Sequence, residues 1–239
     1  MRFNILFFSI LLGSAFHCRA QTADEIISKY ITYIGGESAW KKVKTIAASG
    51  EYNYGGMPFP FTSYSKAPNL YKLLVPFNGK YYAQGFDGQK GWKIDAFKNE
   101  TKPTLLTGKE ARALANEADV ELLSPFIDYR SKQYSVALLE KDTASKKSCY
   151  VIRLTREAGE VEDYYFDDHT FSLLMKKAIA KNTELQSAPL RIYYSDYRSI
   201  KGLRVPFQAV CESEGQTILV ITTKEVSLDK PIALKQFQP

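Results

Sequence analysis

The sequence predicts a mainly β fold of the α+β class: a single curved antiparallel sheet forming an unclosed barrel. An N-terminal helix and a mid-chain helix are expected to cover its concave face. Three observations lead there. About a dozen segments carry strand-like patterning, turn pairs such as Asn78-Gly79 punctuate them, and helical spacing is confined to the start and middle of the chain. A flat sheet of that many strands would curl or split, so curvature is expected.

The chain opens with an export leader. Arg2 is the positive start, Ile5 to Leu12 the apolar core and Cys18-Arg19-Ala20 the small-residue cleavage site. The core is shorter than the roughly 20 apolar residues that span a bilayer. We expect cleavage after Ala20, a single domain over residues 21–239 and a periplasmic location. The alternative, a lipid-modified Cys18, fits poorly, because Ala15-Phe16-His17 lacks the small residue expected just before the cysteine. Removing the first 20 of 239 residues leaves 219, enough for one large β domain with its own core.

Ala23 to Gly35 reads as an amphipathic helix. Ile26, Ile27, Tyr30, Ile31 and Ile34 recur at helical spacing, Thr22 is the N-cap and Gly35-Gly36 the stop. A short helical turn with Trp40 on its apolar side follows through Glu37 to Val43. From Thr45 the period becomes two. Strands are expected at Thr45–Tyr54, Phe59–Lys66, Leu70–Val75, Lys80–Phe86 and Gly91–Ile94. Gly55-Gly56, Pro68-Asn69, Asn78-Gly79 and Asp87-Gly88 separate them. Lys109 to Leu123 breaks the pattern, with Ala111, Leu114, Ala115, Ala118 and Leu122 along one helical stripe, a lid or plug between two runs of strands. Strands resume at Tyr134–Glu140, Ser148–Arg156, Glu160–Phe166, Ser172–Lys181, Leu190–Ile200, Leu203–Ser213 and Gln216–Leu228.

Charge and chemistry narrow the function. The formal charge of +6 falls to +4 once Arg2 and Arg19 leave, and the basic residues are spread over alternate strand positions and turns. We read them as a solvated face, which excludes a nucleic-acid partner and leaves weak attraction to anionic lipid headgroups open. His169 is the single histidine after the leader. No Gly-x-Ser-x-Gly, His-Glu-x-x-His, Cys-x-x-Cys or Gly-rich phosphate loop occurs, so no catalytic or metal residue and no cofactor is assigned, and the protein is read as a non-enzyme. Asp167-Asp168-His169 is read as turn chemistry, since adjacent residues on one tight turn rarely converge on an ion. Asp196 and Arg198, two apart on one strand, are placed to pair. Asp142-Thr143-Ala144 resembles the O-glycosylation site of Bacteroidota exports, and the alternative is a plain turn. Cys149 and Cys211 are read as free buried thiols, although export permits a disulfide.

Several motifs carry a family resemblance. The chain begins Ala23-Asp24-Glu25-Ile26-Ile27 through Tyr33-Ile34-Gly35-Gly36-Glu37 to Trp40. Ala67-Pro68-Asn69 precedes a strand, and Phe86-Asp87-Gly88-Gln89-Lys90-Gly91-Trp92 forms a turn. Tyr164-Tyr165-Phe166-Asp167 is followed by Leu173-Leu174-Met175-Lys176-Lys177. The late hairpin runs Tyr194-Ser195-Asp196-Tyr197-Arg198-Ser199-Ile200-Lys201-Gly202-Leu203-Arg204-Val205-Pro206-Phe207. In this order and spacing the chain resembles the LolA/LolB superfamily of periplasmic lipoprotein carriers, most closely the Bacteroidota "outer membrane lipoprotein-sorting protein" type. The resemblance covers nearly all of residues 21–239. It implies an unclosed barrel whose apolar interior shelters lipoprotein acyl chains or another lipid, with inner- and outer-membrane envelope proteins as partners. The well-studied carriers hold their lid helices shut with an Arg on an early strand. Here Lys66 and Lys72 lie in that neighbourhood and no Arg occurs between Arg19 and Arg112, a departure from the family pattern.

Alternate residues of each strand should line the interior, because successive side chains point to opposite faces. The candidate ligand-binding set is Ile46, Tyr52, Phe59, Phe61, Leu73, Phe86, Trp92, Ile152, Leu154, Phe166, Leu174, Ile192 and Tyr194. Burying an acyl chain there gains about 0.8 kcal/mol per methylene, so affinity needs no specific hydrogen bond. One β face must be buried whatever the function, and the competing expectation is an envelope scaffold or sensor with the same fold and a filled interior.

Overall fold

The computed structural model describes residues 21–118, 125–180 and 188–239. The expected leader, the end of the mid-chain helix beyond residue 118 and the last residue of the strand expected to end at Lys181 lie outside them. The architecture is the expected one: fourteen strands form one antiparallel sheet that does not close, with a few helices on it.

Helix α1 spans Ala23–Tyr33. Its N-terminus is a capping box: the Glu25 N–H donates to the Thr22 hydroxyl, and the Thr22 N–H to the Glu25 carboxylate. A one-turn helix α2 follows at Glu37–Trp40, shorter than its apolar pattern suggests. The Trp40 indole N–H donates to the Ile34 carbonyl, which also accepts from the Arg204 N–H, so this carbonyl ties both helices to the late hairpin.

Five strands make the first wing: β1 Thr45–Tyr54, β2 Met57–Lys66, β3 Leu70–Phe77, β4 Lys80–Asp87 and β5 Gly91–Ile94. Asn78 and Gly79 both adopt positive φ, 47° and 74°, the geometry that two-residue hairpins need. A 3₁₀ turn at Ala96–Lys98 and the two-residue β6, Thr104–Leu105, end the wing. Helix α3 then runs Gly108–Ala118. The second wing is β7 Ser135–Leu138, β8 Asp142–Ala144, β9 Lys147–Thr155, β10 Val161–Asp167 and β11 Leu173–Ile179, then β12 Pro189–Ile200, β13 Leu203–Ser213 and β14 Gln216–Leu228. β6, β8 and two 3₁₀ turns, the second at Leu234–Phe237, have too few residues to show a period and went unpredicted.

Sheet order is β6-β5-β4-β3-β2-β1-β14-β13-β12-β11-β10-β9-β7, with β8 paired to β9. The first strand pairs with the last, which splices the wings. The sheet must curl. β5 and β9 are ten steps apart in that order, about 50 Å if the sheet were flat. Yet the 11-residue α3, roughly 16 Å long, bridges the two wings. Its Leu114 packs with Phe86 of β4, and its Arg112 Nε lies 3.5 Å from Glu160 at the β9–β10 turn.

The inner face holds the main core. Ile26, Ile27, Tyr30 and Ile34 of α1 cluster with Ile152, Leu154, Tyr164, Phe166, Val205 and Phe207, joined by Phe126 and Ile127 from the turns after α3. Asp24 pins those turns to α1, accepting from the Tyr129 hydroxyl and pairing with Arg130 at 2.7 Å. On the outer face Cys149, Val151, Tyr165 and Met175 form a second cluster. The C-terminal segment covers the outer face of the first wing. Phe237 is buried there, and its carbonyl accepts from the Trp92 indole N–H at 3.1 Å. Lys66 and Lys72 donate to the carbonyls of Ile232 and Gln238, each at 2.8 Å, so these two lysines hold the strap. Cys149 and Cys211 are both free, and they occupy opposite faces: Cys149 in the outer cluster, Cys211 in register with the inward Ile192.

Gly50, at the bulge in the β1–β14 ladder, meets its neighbours most closely: a Cβ there would lie 2.1 Å from the Thr222 carbonyl oxygen. Gly50→Ala is expected to destabilise the fold by about 2 kcal/mol or more, measured by urea denaturation. A change under about 0.5 kcal/mol would show that the splice tolerates the shift.

Candidate functional site

Register decides which side chains share the inner face. Across the splice Ile46 pairs with Leu228, Ala48 with Val226, Tyr52 with Ile221 and Tyr54 with Leu219. Tyr52 also pairs with Phe59, and Gly50 with Phe61. Ser63 pairs with Leu73, and Tyr71 with Phe86. In the second wing Ile192 faces Cys211 and Lys176, and Lys176 faces Tyr164. Ile152 faces Tyr164, and Leu154 faces Glu162.

Eleven of the thirteen candidate residues therefore point inward. Ile152, Leu154 and Phe166 are fully buried under α1. Phe86 is buried against α3, and Phe61 is buried beside Gly50. Ile46, Tyr52, Phe59, Leu73, Ile192 and Tyr194 are half-buried. Ile46 and Tyr194 pack at the edge of the α1 core, and from Tyr194 the others continue as a strip towards α3.

Trp92 and Leu174 face outward. Trp92 pairs with Gly85, whose missing side chain makes room for the indole: a Cβ there would lie 2.6 Å from the ring. The C-terminal strap buries it on the outer side. Leu174 is skipped by a register shift between the β10–β11 pairs Tyr165–Met175 and Phe166–Leu173, and it packs on the outer cluster.

The inner face holds more than was expected. Phe59, Phe77 and Phe97 contact one another with ring centroids 4.6–5.9 Å apart, and Tyr82 lies 6.0 Å from Phe97, at the end of the strip where Tyr54 and Met57 are exposed. Tyr71, Leu219 and Ile221 also line the strip, and their parity with Leu73 and with each other was readable. Burial, then the nearby charge of Tyr54 and of Glu117 on α3, pushes the Tyr52 phenol up to about 12.

An ionic group went unforeseen, because charges on strands read as solvated. Glu162 is buried on the inner face and both its oxygens are engaged. Oε2 accepts from Arg156 Nη2 at 3.0 Å and from the Tyr164 hydroxyl at 2.8 Å, and Oε1 accepts from Lys176 Nζ at 3.1 Å. Arg156 stacks over the Tyr134 ring at 5.0 Å and Lys176 lies 5.9 Å over Tyr164. Burial works against the charge on Lys176, but Tyr194, Tyr164 and Glu162 outweigh it and raise its pKa.

Asp167-Asp168-His169 performs turn chemistry. Asp167 Oδ1 accepts from the N–H groups of His169 and Thr170, and Oδ2 from Lys147 Nζ at 2.9 Å, while His169 is 91% exposed. Asp196 and Arg198 pair in two contacts, at 2.6 and 3.1 Å, with the guanidinium 4.3 Å from the Phe207 ring.

With the sheet, its helices and the inward strip established, the comparison with known proteins is informative. No protein-family model and no curated protein matches the sequence. Solved structures do. A LolA superfamily protein from Nitrosomonas europaea superposes with TM-score 0.59 at 14% identity, over 92% of this chain and 99% of that one. The fold is LolA-like. A DUF1329 family protein from Desulfovibrio piger gives TM-score 0.60 at 14% identity, over 92% and 98%. A domain from Vibrio parahaemolyticus, described as outer membrane lipoprotein-sorting, gives 0.57 at 11%, over 90% and 95%. At these identities the likeness establishes the LolA-like fold alone.

The turn carboxylate generates a pH prediction. Burial pushes Asp167 up, but the Thr170 N–H, Lys147 and the His169 N–H outweigh it and hold its pKa at about 2, below the ordinary 3.8. Its contribution is therefore present above about pH 4 and is lost as pH falls towards 2, roughly 2 kcal/mol in all. Asp167→Asn should flatten the acid limb of the stability curve over that interval. An unchanged acid limb would show that the turn's hydrogen bonds do not couple to folding.

Proposed function

We propose that this protein is a periplasmic carrier that shelters acyl chains on the inner face of its half-barrel, in lipoprotein sorting to the outer membrane. Its late-hairpin motifs resemble those of the Bacteroidota sorting type, which supports this reading. The observation that carries the reading is the half-buried apolar strip between α1 and α3, where Tyr52, Phe59, Leu73, Ile192 and Tyr194 share one face across both wings. An acyl chain lying there gains about 0.8 kcal/mol per methylene and needs no hydrogen bond. Large rings suit such a wall, because they leave room beside them without collapsing inward. The fully buried residues beneath α1 act as its support rather than its lining. In this reading lipoprotein acyl chains are the cargo, with envelope proteins as donor and acceptor; the likeness to a domain described as outer membrane lipoprotein-sorting supports it.

Displacement of a fluorescent fatty acid by saturated amphiphiles of increasing length tests this. Each two-methylene extension is expected to tighten binding by about tenfold until the strip is filled. Ile192→Asp, which puts a charge in the strip, should weaken binding by at least about tenfold. Absence of displacement at any chain length would sink the carrier and leave a scaffold with a closed interior.

A further inference from the structure

We propose that Arg156 and Lys176 form a recognition site for the oxyanion head, carboxylate or phosphate, of an acyl amphiphile whose chain lies along the inner strip; this rests on the carrier reading above. The group is asymmetric. Among the described residues two cations share one carboxylate, and both oxygens of Glu162 are engaged, by Arg156, Lys176 and Tyr164. The three side chains are little exposed, 10% for Arg156, 20% for Lys176 and 5% for Glu162. An excess positive charge held this far from water is costly unless an anion meets it.

A second observation points to where that anion sits. The Nε–H of Arg156 is buried and has no acceptor among the described residues. The guanidinium uses Nη2 on Glu162 and lays its face on Tyr134. A planar fork with one edge N–H unfilled is matched to an oxyanion, which takes paired N–H donors in its own plane. Among the described residues, Glu162 is the carboxylate acting on both cations. Of the other described acids, Glu160 pairs with Arg112, and Glu117 of α3 acts on Tyr52, Tyr71 and Tyr194.

Position completes the argument. Lys176 stands directly between Tyr164 and Ile192 in the β10–β11–β12 register, so the cationic group adjoins the apolar strip. A chain laid along Tyr52, Ile221 and Ile192 brings its head to Lys176 and Arg156. A phosphate head and a free fatty-acid carboxylate make the same demand on these donors.

The test measures affinity of the full chain, by fluorescent fatty-acid displacement, for three palmitoyl ligands: palmitate, lysophosphatidylglycerol and neutral monopalmitoylglycerol. The anionic ligands are expected to bind about tenfold or more tightly than the neutral one. That preference should vanish in Arg156→Gln, recover in part in Arg156→Lys, and persist in Arg153→Gln, whose partner Asp163 lies on the outer face. Circular dichroism checks folding, and Lys176→Gln carries the test if Arg156→Gln does not fold. Preference for palmitate assigns a carboxylate head and preference for the lysophospholipid a phosphate head; both support the site. Equal affinity for neutral and anionic ligands overturns it and leaves the carrier standing. No binding by any of the three overturns the carrier and this site with it. Thermal stabilisation by inorganic phosphate alone, without preference among the amphiphiles, assigns a free-anion site and overturns the headgroup.

Discussion

Everything in this molecule depends on the antiparallel pairing of its first strand with its last. β1 and β14 run side by side from Ile46–Leu228 to Tyr54–Leu219. Without that ladder the chain would hold two sheets of unequal size, each with an unpaired edge. With it, inward residues of both wings fall into one register, so Tyr52 of the first wing stands beside Ile221 of the second. The shift after Ser49–Glu225 inserts an extra residue in β14, and such bulges raise twist and bend the strand. A glycine at this point, with Thr222 and Phe61 pressed against it, is the local condition for the bend.

That curvature gives the helices their roles. A helix resting on a flat sheet covers one side of it. Here α1 fills the trough of the second wing, while α3 lies on the first and reaches across to Glu160. The apolar strip left between them is a consequence of fitting two short helices into a trough wider than either. The buried ionic group lies along the same trough, so apolar and charged surface meet at the β10–β12 strands.

Much of this was legible in the sequence, and the exceptions have local causes. Strands of seven residues or more were placed to within about two residues, because alternation and Asn-Gly or Lys-Gly turns are strong signals. β6 and β8 are too short to alternate. Trp92 was assigned inward as an alternate strand residue, yet the Asp87-Gly88 turn sets Phe86 opposite Gly91, and that register sends Trp92 out. The side chain it displaces is absent at Gly85, a cue that needs the pairing to be seen. Leu174 turned on an irregularity that no propensity foretells. Lys66, Lys72 and the inward charges Glu162 and Lys176 obey the same lesson: a charge on a strand shows its partner only once remote strands are aligned. For Lys66 that partner is the Ile232 carbonyl, 166 positions away.

An open sheet of this width has two ends where backbone N–H and C=O groups face outward, and a neighbouring copy can pair with such an end. The ends of this sheet are short strands, two residues in β6 at one end and four in β7 beside three in β8 at the other, and Lys102-Pro103 stands immediately before β6. A proline has no N–H to offer, and two or four residues provide too brief a ladder to hold a second chain in register. The protein can therefore leave its barrel unclosed, as a trough must be if something is to enter it, without inviting the fibrous self-association that a long exposed edge would permit.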